Sequence, residues 1–216
     1  MGVTEEGRET GGKREAAAQK RRRDILLAGK KMFFRSGYQL TNVDVIAEEA
    51  GTTKRTIYGY FGSKEELFTE VIGFAGAQFV TLLPEASKLP SSPGKGIRAY
   101  IAKLREVLAS PDIVRFQRLA IAEVGRQPEL GQALRDTAFA DMERVLADYL
   151  DVCVAEGRLR PHDTSDAAAR ILDTATSSLR VRTLMGLKDL GQEAAETKTI
   201  EQVIGEYLER YAVRKG

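Results

Sequence analysis

The chain has 216 residues, of which 43% are hydrophobic and 30% are charged, a composition typical of a globular protein with one or two domains. No apolar run reaches the roughly 20 residues of a membrane-spanning helix, and the polar, glycine-rich N-terminus is unlike a secretory signal. We therefore expect a cytoplasmic protein with no membrane partner. A single cysteine, Cys153, excludes an internal disulfide and a zinc site built on cysteines.

Charge is unevenly distributed along the chain. The net charge is +2, but residues 1–64 contain 13 Lys and Arg against 8 Asp and Glu, whereas residues 65–216 contain 20 against 23. A basic N-terminal part on an acidic remainder indicates that the first part contacts a polyanion. Taken alone, a chance fluctuation explains this asymmetry equally well.

The N-terminal part begins with a polar tail and a helix. Residues 1–18 have many glycines and no apolar periodicity, which predicts a disordered segment. From about Lys20 onward, apolar residues recur at helical spacing. Gly37 is the expected glycine that closes this first helix in the left-handed conformation.

Two short helices joined by a glycine turn are predicted next. Thr41 is the expected N-cap of helix two, which ends at Gly51, and helix three begins at Thr52 or Thr53. Ser63, followed three residues later by a glutamate, forms a capping box that opens a long fourth helix.

Five more helices are predicted beyond this point, which gives about nine in total. They are marked by apolar spacing over 97–108, the helix start Ser110-Pro111-Asp112, apolar spacing over 134–149, the N-cap Asp163, and apolar spacing over 200–211. No stretch shows the alternation typical of a strand. The predicted fold is therefore all-α.

The third helix carries residue types that suit DNA. Two short helices with a tight turn, the second rich in cations, hydroxyls and aromatic rings, fit a helix-turn-helix unit that reads the major groove. Lysine and arginine reach guanine edges or phosphates, and threonine and tyrosine hydroxyls bond bases or backbone. A solvated cationic face is the alternative, but such faces rarely expose two tyrosines beside three hydroxyls. The candidate DNA contacts are Thr41, Thr52, Thr53, Lys54, Arg55, Thr56, Tyr58, Tyr60 and Lys64.

The run from Ile25 to Leu67 resembles the DNA-binding domain of the TetR (tetracycline repressor) family. The residues that carry the resemblance are Ile25, Ala28, Phe33, Gly37, Tyr38, Thr41, Val43, Ile46, Ala47, Ala50, Gly51, Thr56, Ile57, Tyr58, Tyr60, Phe61, Ser63, Lys64, Glu65 and Leu67. The stretch 121–160 is similar to a multidrug-regulator-like subgroup of C-terminal domains.

The resemblance implies a DNA-binding domain over residues 19–66 and an effector-binding and dimerisation domain over residues 67–216. It further implies a repressor that binds a palindromic operator as a homodimer, is released by a small-molecule effector, and needs no cofactor.

Three positions depart from the family pattern. Gly59 stands where a larger polar residue often contacts DNA, so we expect one readout contact to be missing. Arg55 stands where a small residue is usual, which shifts the expected sequence preference. Asp44 replaces a residue that is often basic, so a phosphate contact there is not expected.

The resemblance also implies an effector pocket and a dimer interface. The pocket candidates are Phe74, Tyr100, Phe116, Phe139, Met142 and Met185, although the same spacing is typical of plain core. The interface candidates, on helices 164–185 and 198–212, are Ala168, Ile171, Ala175, Ser178, Ile200, Val203, Ile204, Tyr207 and Tyr211. Burial of these residues in the core of one subunit would produce the same spacing of apolar residues along the two helices. Arg180 and Arg182 are candidates for contact with an anionic ligand, with surface or interface roles as the alternative.

Two other classes of function remain as alternatives. Catalysis has little support, because His162 is the sole histidine and no phosphate loop, metal spacing or nucleophile motif is present. A DNA-binding protein of this fold could also act without a small-molecule effector, through a protein partner or in chromosome organisation. A fully packed C-terminal domain would favour that reading, and an apolar cavity would favour a ligand.

Overall fold

The computed structural model describes residues 5–187 and 193–213, and these residues form a bundle of helices. The helices are α1 Glu5–Leu40, α2 Val43–Glu49, α3 Lys54–Phe61, α4 Lys64–Val80, α5 Pro93–Ala109, α6 Pro111–Val124, α7 Glu129–Leu134, α8 Ala140–Ala155, α9 Thr164–Met185 and α10 Glu193–Tyr211. Within those two described ranges, β pairing is limited to one isolated bridge between Leu159 and Ala212. The predicted all-α fold is confirmed.

The helix count differs from the predicted nine at one place. A π-helical turn at Arg135–Phe139 joins α7 to α8, so residues 129–155 are continuously helical. A π turn accommodates an extra residue, and apolar spacing along the sequence does not reveal it. The single helix predicted over 134–149 is therefore divided into α7, the π turn and α8.

Helix α1 begins earlier than the sequence predicted. It starts at Glu5, within the segment 1–18 for which we expected disorder, while residues 1–4 lie outside the described part of the chain. Residues 14–20 are exposed, so local propensity rather than packing accounts for helix there, and the alanines and long charged side chains in that stretch are strong helix formers. At the other end, Gly37 has φ 77° and interrupts the helix where a glycine was expected.

The N-cap of α2 is Asn42 rather than Thr41. The Asn42 side chain accepts a hydrogen bond from the backbone N–H of Asp44 at 2.9 Å. The Thr41 hydroxyl instead donates to the carbonyl of Gly37 at 2.6 Å and thereby satisfies the end of α1. The prediction of Thr41 as the cap was wrong because either of two adjacent capping residues fits the pattern.

Two predicted caps are confirmed, and helix three begins at one of its two expected positions. Thr53 caps α3, and Ser63 caps α4 by accepting from the backbone N–H of Glu66 at 3.0 Å. Asp163 caps α9. These side chains fix where α3, α4 and α9 begin.

Helix α4 joins the N-terminal helices to the rest of the bundle. Its Phe68 is fully buried and lies edge-on to Phe33 of α1, with ring centroids 4.9 Å apart, and 4.8 Å from Tyr38. Further along, α4 packs against α6, α7 and α8. A displacement of α4 therefore changes its packing against both the N-terminal helices and the rest of the bundle.

Helix α10 is anchored by a buried carboxylate. Glu196 is 8% exposed and accepts hydrogen bonds from Arg105 of α5 and from Ser178 and Arg182 of α9. Cys153 is fully buried on α8, which packs against α9. No helix of the described ranges has the length and apolar character to cross a membrane.

Candidate DNA interface and effector cavity

Helix α3 is docked on one side and open on the other. Ile57 and Phe61 are buried against the N-terminal core. Arg55, Tyr58 and Tyr60 are exposed, and Tyr58 keeps 37% of its surface. An apolar side held by the core with cations and phenols directed outward is what insertion into a major groove requires.

The start of α3 is ordered by side-chain hydrogen bonds. The hydroxyls of Thr53 and Thr56 lie 2.9 Å apart, and Thr53 also caps the helix. Lys54 forms an ion pair with Asp44 of α2, 3.0 Å from Nζ to Oδ2, and this hydrogen bond raises the pKa of Lys54. Thr52 is half-buried in the turn. These residues lie at the start of α3 and in the turn before it.

Two predicted contacts are engaged within the protein. Thr41 is 5% exposed and bonded to Gly37, so its hydroxyl is not available to DNA; this corrects its assignment as a contact. Lys64 has its amino group 4.6 Å from the ring centroid of Tyr38 and donates to the carbonyl of Gln39 at 3.4 Å. To reach a phosphate, Lys64 would have to leave the Tyr38 ring.

Gly59 leaves open space on α3. A Cβ added there would meet no atom within 4 Å. Nothing in the packing requires glycine at this position, and glycine weakens a helix by roughly 1 kcal/mol relative to alanine. Because glycine has no side chain, it offers no side-chain contact at this position, and the packing of the described residues gives no reason for it.

A partly enclosed cavity of about 120 Å³ lies in the larger domain. It is bounded by α4, α5, α6, α7, the π turn, α8 and α9. Its lining consists of Phe79, Leu108, Ile113, Phe116, Gln117, Ile121, Leu134, Phe139, Met142, Arg180 and Leu184.

Three of the six predicted pocket residues lie on this cavity, namely Phe116, Phe139 and Met142. The other three lie elsewhere. Tyr100 is fully buried core, with its hydroxyl donating to the carbonyl of Met142 at 2.7 Å. Phe74 lines a surface groove between α1 and α4, and Met185 is 68% exposed at the end of α9.

Two polar residues on the lining stand out from the apolar wall. Gln117 is 8% exposed, and its Nε2 has no hydrogen-bond partner in the described structure. The Arg180 guanidinium lies over the Phe139 ring, 4.3 Å from its centroid. Burial lowers the pKa of Arg180, and the charge of Asp173 opposes that effect only in part. The sequence marks Gln117 only by its position on the apolar side of α6, four residues after Ile113 and three before Ala120, which are both buried.

The cavity wall is in contact with the DNA-binding helices. The rings of Phe79 on α4 and Phe116 on α6 meet edge to face at 4.9 Å, and Phe116 lies 5.8 Å from Phe34 of α1. The Lys30 amino group lies over Phe34 and Phe79 and donates to Gln78 at 2.5 Å. Burial lowers the pKa of Lys30, with Asp112 acting in the opposite direction.

Most predicted interface residues are packed inside the subunit. The buried ones are Ala168, Ile171, Ala175, Ile204 and Tyr207; Ile200, Val203 and Tyr211 are half-buried; Ser178 is exposed. Tyr207 and Tyr211 surround His162, whose Nε2 lies 2.9 Å from the Tyr207 hydroxyl and whose ring stacks on Tyr211 at 4.0 Å. The apolar sides of α9 and α10 therefore pack mainly within the core of the single subunit.

A docked helix-turn-helix with a cationic and phenolic outer face, joined through one long helix to a helical domain with an apolar cavity, defines a DNA-binding transcriptional regulator. Residues 25–71 match the family described as bacterial regulatory proteins, tetR family, and residues 95–213 match the AefR-like transcriptional repressor, C-terminal domain. The chain belongs to the TetR family of transcriptional regulators, as its sequence predicted.

Named relatives agree with this assignment. The transcriptional repressor NicS of Pseudomonas putida is 38% identical over 69% of this chain and 70% of its own length. The regulator RutR of Escherichia coli is 36% identical over 74% of each chain. Among solved structures, the flavonoid-responsive regulator FrrA is 26% identical, covers 91% of this chain and 100% of its own, and superposes with a TM-score of 0.69.

Proposed function

We propose that this protein is a repressor that binds a palindromic operator as a homodimer and is released by a small molecule bound in the cavity. In this proposal residues 19–66 form the DNA-binding domain, and residues 67–216 form the effector-binding and dimerisation domain. The protein acts on chromosomal DNA in the cytoplasm.

The observation that carries the proposal is the outer face of α3. Arg55 and Tyr58 are exposed beside the capped, ordered start of the helix, while Ile57 holds the opposite side in the core. Arginine suits guanine edges or phosphate, and tyrosine suits phosphate or a thymine methyl group. Thr52, Thr53, Lys54, Thr56 and Tyr60 extend this proposed surface.

A dimer follows from the limited reach of one recognition helix. One such helix reads only a few base pairs, so two half-sites about one DNA turn apart, roughly 34–36 Å, are needed for specific affinity. The exposed sides of α9 and α10 offer a shallow groove lined by small residues, including Thr174, Ser178, Ala195 and Thr199. Small side chains permit close approach of a second pair of helices.

The route from effector to DNA runs through α4. Phe79 lies on the cavity wall near the end of α4, and Ser63 caps the start of the same helix immediately after α3. A ligand that moves Phe79 tilts α4 and changes the spacing of the two recognition helices. Ligand and operator then oppose each other by one coupling free energy, typically about 1–3 kcal/mol.

The names of relatives support a ligand response but not one sign of regulation. FrrA is described as flavonoid-responsive and NicS as a repressor, whereas FasR of Mycolicibacterium smegmatis, 36% identical over 44% of this chain, is described as an activator. Repression is favoured here because the C-terminal match is to a repressor domain.

Binding of the purified protein to its own upstream intergenic DNA tests the proposal. Fluorescence anisotropy at two salt concentrations, with scrambled DNA as competitor, separates specific from electrostatic binding. Tight, competitor-resistant binding is expected. Binding that disappears with salt would remove this DNA as the operator, and specific binding that no ligand relieves would favour the effector-free alternative.

A further inference from the structure

The cavity has an unusual balance of hydrogen-bonding groups. Nine of its lining residues are apolar, and the two polar ones, Gln117 and Arg180, both present donors. A guanidinium has five N–H donors and no acceptor, and the unpartnered atom of Gln117 is its amide nitrogen. No carboxylate belongs to the lining.

Arg180 has no ion-pair partner to neutralise it in the part of the chain that the structure describes. Its guanidinium lies 4.3 Å from the centroid of the Phe139 ring, and the charge of Asp173 acts on it, but it forms no ion pair within 4 Å among the described residues. Its charge lies half-buried against apolar groups. Burial of an unpaired charge is unfavourable unless an opposite charge accompanies it.

Arg182 shows the contrasting situation two residues further along α9. Its guanidinium donates to the buried Glu196 at 2.6 Å, so its charge is compensated inside the protein. Of the two arginines that the sequence marked for an anionic ligand, Arg180 is the one at the cavity.

The size of the cavity limits the apolar part of a ligand. An apolar cavity of roughly 150 Å³ in another protein admits benzene, and this one measures about 120 Å³. One aromatic ring, or a hydrocarbon group of that size, therefore fits with modest movement of Phe79 or Met142.

We propose that the cavity binds a small carboxylic acid with an apolar body of about one aromatic ring. The ring occupies the space between Phe79, Phe116 and Met142, the carboxylate accepts hydrogen bonds from Arg180, and one of its oxygens accepts from Nε2 of Gln117. The inference rests on the proposed function only in taking the cavity as the effector site. Beyond the proposed function, the inference specifies the charge and the size of the effector.

The test uses benzoate and its neutral analogue benzamide as probes. Titration calorimetry on the full-length protein measures binding, and anisotropy with the upstream DNA measures release. Sodium chloride is added to the benzamide samples to match ionic strength, because DNA binding itself depends on salt. We expect benzoate to bind at least about 10-fold more tightly than benzamide, since the carboxylate makes charge-assisted hydrogen bonds in a desolvated site.

Two cavity variants and one control assign the preference to its residues. Arg180→Met should remove the preference for benzoate, and Gln117→Leu should weaken benzoate with less effect on benzamide. Arg115→Met lies on α6, which also contributes to the cavity, but its side chain is 60% exposed, so it should retain the preference. Circular dichroism verifies that each variant is folded.

The outcomes separate the inference from the proposed function. Equal affinity for the two probes, a benzoate preference that survives Arg180→Met, or no binding of either probe at millimolar concentration would each overturn the acid-binding inference while specific DNA binding stands. Absence of specific DNA binding, with benzoate preference intact, would reject the operator assignment and leave the acid site.

Discussion

Asp44 of α2 and Lys54 of α3 form an ion pair across the turn of the helix-turn-helix, with 3.0 Å between Oδ2 and Nζ. The pair occupies the amino group of Lys54, a cation at the start of α3. It also places a carboxylate beside the residues that we propose to contact DNA. Under the proposed function, we therefore expect Asp44 to oppose DNA binding in two ways.

Asp44→Asn should strengthen DNA binding and make it more sensitive to salt. The freed Lys54 can neutralise one further phosphate, which steepens the plot of log affinity against log salt by about 1. Anisotropy across a salt series measures both quantities. Glu85→Gln is a matched control, because it removes the same charge from an exposed ion pair with Lys88. Equal slopes in the two variants would mean that the change in net charge, rather than the release of Lys54, explains the effect.

Tyr58→Ala should lower operator affinity by about 1–3 kcal/mol. The side chain is exposed and leaves the core contacts of α3 to Ile57 and Phe61, so the fold should persist. Tyr58→Phe separates the two parts of the contact, because it retains the ring and removes the hydroxyl. Operator affinity unchanged in Tyr58→Ala, with an intact circular dichroism spectrum, would exclude Tyr58 from the interface.

Glu196 should make the stability of the larger domain sensitive to acid. Burial alone raises its pKa, but hydrogen bonds from Arg105 and Ser178 and the charges of Arg105 and Arg182 outweigh burial and leave the pKa below its usual 4.5. A carboxylate with a lowered folded-state pKa contributes stability above the unfolded pKa, and this contribution is lost as pH falls through the folded value.

Glu196→Gln should therefore reduce the free energy of unfolding by about 3 kcal/mol near neutral pH. The difference from wild type should shrink as the pH falls below 4.5. Thermal melts across pH measure this directly. Glu201→Gln, which removes an exposed pair with Arg98, serves as the control and should change stability much less; equal losses would contradict a special role for burial.

Val181→Arg should convert the proposed dimer to monomers. Val181 is 56% exposed on α9 in the single chain, so the larger charged side chain is compatible with the fold but not with a close second subunit. Light scattering after gel filtration gives the mass. Val152→Arg, at an exposed position on α8, should remain dimeric; dimers in both variants would place the interface elsewhere.

Features that depend on near neighbours in sequence were predictable. The caps Ser63 and Asp163 are read from a side chain and the few residues after it, because the hydrogen bonds they make are local. The same local rule failed at Thr41, because Asn42 is an equally good cap and the structure uses it. The exposed side of α3 followed from the placement of Ile57 alone.

The cavity could be predicted only in part, since it depends on which distant residues meet. Tyr100 and Phe116 each lie on the apolar side of a helix, so their sequence patterns are alike. Tyr100 is nevertheless fixed in the core by a hydrogen bond to the carbonyl of Met142, whereas Phe116 borders the cavity. Met185 fell outside because α9 ends at Gly186, where φ is 68°, and leaves the last turn in solvent. Periodicity identifies a buried side but not a void within it.

Cys153 gives the protein a built-in kinetic reporter. It is the single thiol of the chain, it is fully buried on α8, and burial raises its pKa. Both effects suppress its reaction with thiol reagents until the surrounding helices separate. The rate at which a thiol reagent labels the unmodified protein therefore counts opening events of the larger domain, without the introduction of any probe.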